Sequence, residues 1–359
     1  MGERGRRFAS AVAGLILALG ASVCLAGVHD GGVGACSICH VMHDDTTPAG
    51  GDNPLLVAGN ASDTCLACHA DANGSVLGMH PLAPPPEYGA GKFIFLLEDN
   101  LNDAPGGMTN PIPGDAAGHN IQAPGHGLVS DGTYVNSPGG TYPAGDMGCT
   151  SCHDPHGNSN YRFLYGAGQV QANGYVFTNP APEALGLDLA VGAPESQSNH
   201  VAYLSGMGAW CGNCHSLYVT SRHGGAASAF SHSGEAAFRT GMATQYNRYN
   251  GTLDPIGGTS ATAYLVEVPF EDSGSTTGST FGPSMTSRIM CLSCHRAHGS
   301  SAPRSGRWDF NVDTLGQDGV VSGSYPLPNP YGDPGQESLC FKCHRNIPGG
   351  GGTILVPTN

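Results

Sequence analysis

Six Cys-x-x-Cys-His units constrain what this 359-residue chain can fold into. They are Cys36–Cys39–His40, Cys65–Cys68–His69, Cys149–Cys152–His153, Cys211–Cys214–His215, Cys291–Cys294–His295 and Cys340–Cys343–His344. Together they use 12 of the 13 cysteines; the last, Cys24, falls in an N-terminal export signal. Residues at i, i+3 and i+4 of one helical turn share a face. Two thiols spaced that way can meet the two vinyl groups of one porphyrin while the following imidazole reaches its iron, which is the c-type haem attachment signature. A thioredoxin-like pair wants a βαβ context that is missing here. Structural zinc would need the units to pair into sets of four N/S ligands, and secreted disulfides give no reason for a His after every second Cys. The sequence reading is six haem c groups, with the six unit histidines as proximal ligands.

Closing each iron takes a second axial ligand. Ten of the 16 histidines lie outside the units, enough for six further positions. Methionine would raise the potential, but none of the nine recurs at a fixed offset. Three histidines do recur: His43, His156 and His298 each follow a proximal His by three residues. Such a residue sits on one side of its own haem, cannot easily reach the opposite face, and is well placed to ligate a different haem packed beside it. His80, His119 and His232, in short turns, complete the expected distal set. His29 and His223 are reserves, and His126 and His200 read as surface or propionate-side residues.

The balance of 14 Lys+Arg against 28 Asp+Glu is wrong for a nucleic-acid partner. Residues 1–26 read as a secretory signal, with Arg4, Arg6 and Arg7 ahead of an apolar run too short to span a bilayer. No later segment is long enough to cross one, so the expected product is an exported acidic protein, residues 27–359 forming a single hexahaem unit. With 56 Gly and 26 Pro, and charged residues at 12%, a helical bundle or doubly wound sheet is disfavoured. First cysteines step by 29, 84, 62, 80 and 49 residues, so no fixed period exists. The expected fold is mostly irregular coil with short helices and few short strands, wrapped around a haem chain that substitutes for an aliphatic core. Residues 92–97 and 263–268 read as short strands, 207–213 as a short helix leading into its unit, and 271–287 as an exposed loop. Arg162, Arg248, Arg296 and Arg345 are candidate haem-propionate partners.

Several stretches together resemble the extracellular hexahaem cytochrome filament family, the OmcS type. They include the run from His29 through Cys36-Ser-Ile-Cys-His-Val-Met-His43, then Gly118-His-Asn-Ile121, and Cys149-Thr-Ser-Cys-His-Asp-Pro-His-Gly157. Trp210-Cys-Gly-Asn-Cys-His215 and Cys291-Leu-Ser-Cys-His-Arg-Ala-His298 follow in the same order. The resemblance implies polymerisation into filaments (nanowires) with an unbroken chain of haems, stacked and T-shaped pairs alternating. It implies bis-histidine coordination throughout, with His43 reaching the fifth haem of a neighbouring protomer. His80, His119, His156, His232 and His298 match its distal ligands. The chain departs from the pattern between His215 and Thr240, leaving His232 against His223 open, and in a shorter final loop and a Gly-rich tail.

The function expected is extracellular electron transfer by a non-enzymatic conduit that takes electrons from other multihaem cytochromes and delivers them to acceptors such as metal oxides. A monomeric periplasmic carrier would suit the same histidine count. A nitrite- or hydroxylamine-type reductase needs an open iron, against which ten spare histidines argue.

Overall fold

The computed structural model describes residues 36–41, 55–70, 76–78, 89–97, 117–187, 195–220, 234–310, 312–317, 329–346 and 354–355. The export signal, His29, His43, His80, His223 and His232 lie outside the described residues.

Regular structure is sparse. Helices α1 (Ala61–His69), α2 (Met207–Cys211), α3 (Ser216–Thr220) and α4 (Thr240–Arg248) are at most nine residues long. Strands β1 (Glu183–Leu185) and β2 (Ala202–Ser205) pair antiparallel, as do β3 (Arg345–Asn346) and β4 (Ile354–Leu355). Most remaining order comes from single 3-10 turns and isolated bridges. A chain this rich in Gly and Pro closes its backbone hydrogen bonds turn by turn. No helix among the described residues is long and apolar enough to cross a membrane.

Helices α1 and α2 begin where side chains satisfy their first amides. Asn60 caps α1, its Oδ1 accepting from the Asp63 amide at 2.8 Å. Glu271 caps α2 from 64 residues away, Oε1 accepting from the Met207 amide at 2.6 Å. That long-range cap corrects the reading of 271–287 as an exposed loop: its interior is largely exposed, but Glu271 and Ser287 at its ends are buried.

Two further local expectations fail. Residues 93–97 form a 3-10 helix, entered from Gly91 at φ +84°, and bury Phe93, Ile94 and Phe95 on several sides. Residues 263–268 fold into a turn closed by the Val268 amide on the Leu265 carbonyl at 3.0 Å. The helix expected over 207–213 is present as α2.

The protein also builds apolar clusters of its own. The largest gathers Phe238, Tyr246, Tyr264, Phe270, Trp308 and Leu339, with Tyr246 and Phe270 edge to face at 5.5 Å. A second joins Leu66 of α1 to Phe93, Ile121 and Tyr142. Few as they are, the aromatic residues are concentrated in these clusters, so haem is not the sole core material.

Candidate haem-binding site

In five units the histidine amide bonds back to the carbonyl of the first cysteine: His40 to Cys36 at 2.8 Å, His153 to Cys149, His215 to Cys211 and His295 to Cys291 at 3.0 Å, and His344 to Cys340 at 2.9 Å. The second unit, Cys65 to His69, lies within α1. Each unit is thus one helical turn, with both thiols and the imidazole on a common side.

The third and fifth units repeat a larger device. His153 Nδ1 donates to the Arg162 carbonyl at 2.8 Å, and His295 Nδ1 to the Arg304 carbonyl at 3.0 Å. Amides lock each loop at matching places: Asp154 on Phe163 and Tyr165 on Cys152, then Arg296 on Ser305 and Arg307 on Cys294. Both loops turn through two non-glycine residues in the left-handed region, Arg162 and Phe163 at φ 50° and 56°, Arg304 and Ser305 at φ 60° and 54°. That conformation is unfavourable for L-residues. It aims the carbonyl at the imidazole, fixing Nδ1 as the protonated nitrogen and leaving Nε2 for a metal. His215 Nδ1 finds the Pro138 carbonyl at 2.7 Å by another route.

Two ring pairs reach across units, and a third joins a unit to His119 outside them. His40 and His156 have ring centres 6.4 Å apart and near-parallel planes. His153 and His298 are also 6.4 Å apart, inclined at 61°. His119 and His215 are 5.9 Å apart at 44°. With a metal–imidazole nitrogen bond of about 2.0 Å on each side, two imidazoles in line on one iron put their ring centres about 6 Å apart. These separations fit a metal between each pair. Among the described residues no three His, Cys, Asp or Glu converge as a metal cage, so the imidazoles come in twos. The donor set fits haem c: paired thiols on a turn, one imidazole beside them and a second facing it.

A junction of three glycines brings His119 and His298 together. Gly299 bridges Gly91 on one side and Gly118 on the other. The His119 amide bonds the His298 carbonyl at 3.1 Å, and the His298 amide bonds Ala90 at 2.7 Å. His119 Nδ1 donates to the Ala297 carbonyl. A Cβ on Gly91 would stand 1.9 Å from the Gly299 carbonyl oxygen, and one on Gly118 2.2 Å from that of His298. Only glycine permits so close an approach. Phe93 stacks on His298 at 4.6 Å. Burial, with His153 and His119 nearby, pushes the His298 imidazole down to about 3, which keeps it in the neutral form a metal ligand requires.

The cysteines lie in chain order through space. Cys65 interacts with Cys39 and shares a thiol hydrogen bond with Cys149. Cys152 neighbours Cys214, Cys211 lies at thiol hydrogen-bonding distance from Cys291, and Cys294 neighbours Cys340 and Cys343. Six units therefore form a row.

Other expectations shift. His200 is fully buried rather than superficial, stacked on Tyr264 at 3.8 Å with Nε2 on the Ser279 carbonyl. His126 holds Asp63 at 3.0 Å, tying its turn to α1. Of the candidate arginines, Arg162 and Arg248 are exposed and Arg296 is buried with Nη1 on the Gly89 carbonyl. The glycine junction and the left-handed arginines were not singled out from sequence; the shared spacing of nine residues from His153 to Arg162 and from His295 to Arg304 is the one signal that pointed to them.

The doubled CXXCH motif family matches residues 29–74 and 142–174. The C-type cytochrome OmcS of Geobacter sulfurreducens is 29% identical over 95% of this chain and 99% of its own. This chain is similar to the OmcS-type cytochromes. Two solved structures extend the likeness to the fold: the Outer Membrane Cytochrome S filament from the same organism, at a TM-score of 0.66 and 26% identity, and the OmcS nanowires determined by cryo-EM, at 0.72 and 27%. Each alignment covers 88% of this chain and 99% of the other. Haem c is the cofactor implied by the doubled motif and by this relationship, and six groups per chain match the six units.

Proposed function

We propose that this protein is a hexahaem electron conduit that polymerises outside the cell and carries respiratory electrons to extracellular acceptors. The single observation behind this reading is the set of imidazole pairs, each spaced for one iron, on a row of attachment turns. When bound, each haem supplies a one-electron carrier; the chain supplies attachment, axial ligands and burial. In this reading His156 of the third unit serves the iron held by His40, His298 of the fifth serves that held by His153, and His119 serves that held by His215.

The first two of those assignments share a rule: the second histidine of one unit closes the haem two units earlier. Applied to the first unit, the rule leaves His43 without an earlier unit in its own chain. The fifth unit, at His295, is then the position for His43 of a neighbouring protomer, which ties ligation to polymerisation. His80 and His232 complete the second and sixth units, at His69 and His344. The likeness to OmcS, solved as a filament and as nanowires, supports the polymeric form. Residues 1–26 act as the export signal and 27–359 as one cytochrome unit, with other multihaem cytochromes as donors and metal oxides among the acceptors.

Negative-stain microscopy of the native protein beside His43→Ala, with haem content measured in both, tests the proposal. Filaments that disappear in the variant are expected. Monodisperse particles in both samples would overturn the filament and leave a soluble carrier, and a five-coordinate haem in the native protein would turn the assignment toward a reductase.

A further inference from the structure

The sixth attachment turn contains a buried cation. Lys342, between Cys340 and Cys343, is 2% exposed. Its Nζ donates to the Tyr249 carbonyl at 2.9 Å and lies 4.7 Å from the centre of the Tyr246 ring and 5.7 Å from that of Tyr331. These partners suit an ammonium, since the aromatic faces and the carbonyl all present negative charge to it. None cancels its charge. The ion pairs among the described residues are His126–Asp63 and Arg288–Glu235, so no described carboxylate lies within 4 Å of Lys342. Glu267 acts on it from farther away.

The other turns differ. Asp63 acts on Cys149 of the third unit, where Cys65 of the second also lies. Glu235 and Glu271 act on Cys291 of the fifth, whose thiol lies at hydrogen-bonding distance from Cys211 of the fourth. Arg307, buried against the Leu292, Val266 and Gly89 carbonyls, acts on Cys294. Asp313 also acts on Cys340 of the last unit, but Lys342 is the one charged residue that lies between the cysteines of any of the six units. Charge near a haem is one of the protein's means of setting its potential, and in a buried setting it is poorly screened.

We propose that Lys342 tunes the sixth haem to the highest potential of the six, so that each protomer holds its first electron at that end of the row. The inference rests on the conduit reading above. The step is a single electron passed from a neighbouring reduced haem, with no bond made or broken.

The test is spectroelectrochemical titration at pH 6 of the full haem-loaded protein, comparing wild type with Lys342→Met, Lys342→Gln and Lys342→Arg, haem counted in each. The highest-potential one-electron step should fall by about tenfold in its reduction equilibrium, or 59 mV, in the Met and Gln variants. Lys342→Arg should restore it, and the other five steps should hold. Gln retains a donor for Tyr249, so it remains informative if Met impairs folding. Unmoved steps in a six-haem variant, or a shift confined to a lower step, would overturn the inference and leave the conduit intact. Fewer than six haems in the wild type would instead count against the conduit reading.

Discussion

Gly118→Ala should disable two haems at once. A Cβ there would stand 2.2 Å from the His298 carbonyl oxygen and 2.6 Å from the Gly299 Cα, both backbone atoms with no rotamer to move. Restoring ordinary contact requires the two segments to part by about 1 Å, and overpacking of this kind costs about 1–3 kcal/mol or more. The larger consequence is geometric. His119 is the next residue on one segment and His298 carries the clashing carbonyl on the other, and they face His215 and His153 respectively. A metal–imidazole bond of about 2.0 Å does not survive a displacement of half its length. The third and fourth haems should therefore lose their second ligand together. About a third of the haem should become high-spin by electron paramagnetic resonance, with six haems still attached by pyridine haemochrome assay. Gly132→Ala, where a Cβ meets nothing within 4 Å, is the control. Six low-spin haems and an unchanged melting temperature in Gly118→Ala would refute the idea that the glycine junction sets these ligands.

Single-ligand changes should be simpler. His298→Ala and His156→Ala should each convert one haem in six to high-spin, whereas His298→Met should keep a low-spin iron and raise one potential, all read by the same resonance and a redox titration. Arg304→Gly keeps the carbonyl that holds His295 and removes an unfavourable left-handed side chain, so the melt should shift upward by about 1 kcal/mol; a loss of stability would mean the arginine side chain itself holds the loop. Burial, and then Glu235, raise the Glu271 carboxyl above its usual range. The folded chain therefore keeps that proton to higher pH than the unfolded chain, and the associated stability is present below about pH 4 and lost as pH rises through the folded value. Glu271→Gln should flatten that part of the stability profile above about pH 4 in denaturant titrations, while retaining the oxygen that caps α2.

The attachment turns were legible because their chemistry is local: thiols three apart and an imidazole one further on share a face whatever surrounds them. The irregular fold was legible for a related reason, since 56 glycines and 26 prolines leave few uninterrupted runs. What faces each imidazole was not legible. His119 meets His215, and His153 meets His298, because Gly118 and Gly299, 181 residues apart, let two backbones touch, and no periodicity encodes such a contact. Residues 92–97 have the apolar content of a strand, yet Gly91 turns the chain before a ladder can form. His200 looks like a surface residue in a polar stretch, and only Tyr264 lying flat on it shows otherwise. Arg162 and Arg304 occupy left-handed positions without the Gly or Asn that usually marks them.

The same junction dictates an order of birth. A chain synthesised from its N-terminus presents the third and fourth turns well before residue 298 emerges, and the segment at 118–119 has nothing to dock against until it does. In the proposed ligation the first haem waits for the third unit and the third for the fifth. Ligands are therefore supplied backward along the polypeptide, each of these haems being finished only after a later unit has emerged. A molecule cut short after the fourth unit would carry four attached haems with the third and fourth left unfinished, and in the proposed ligation a full-length one would have its fifth site finished by another molecule.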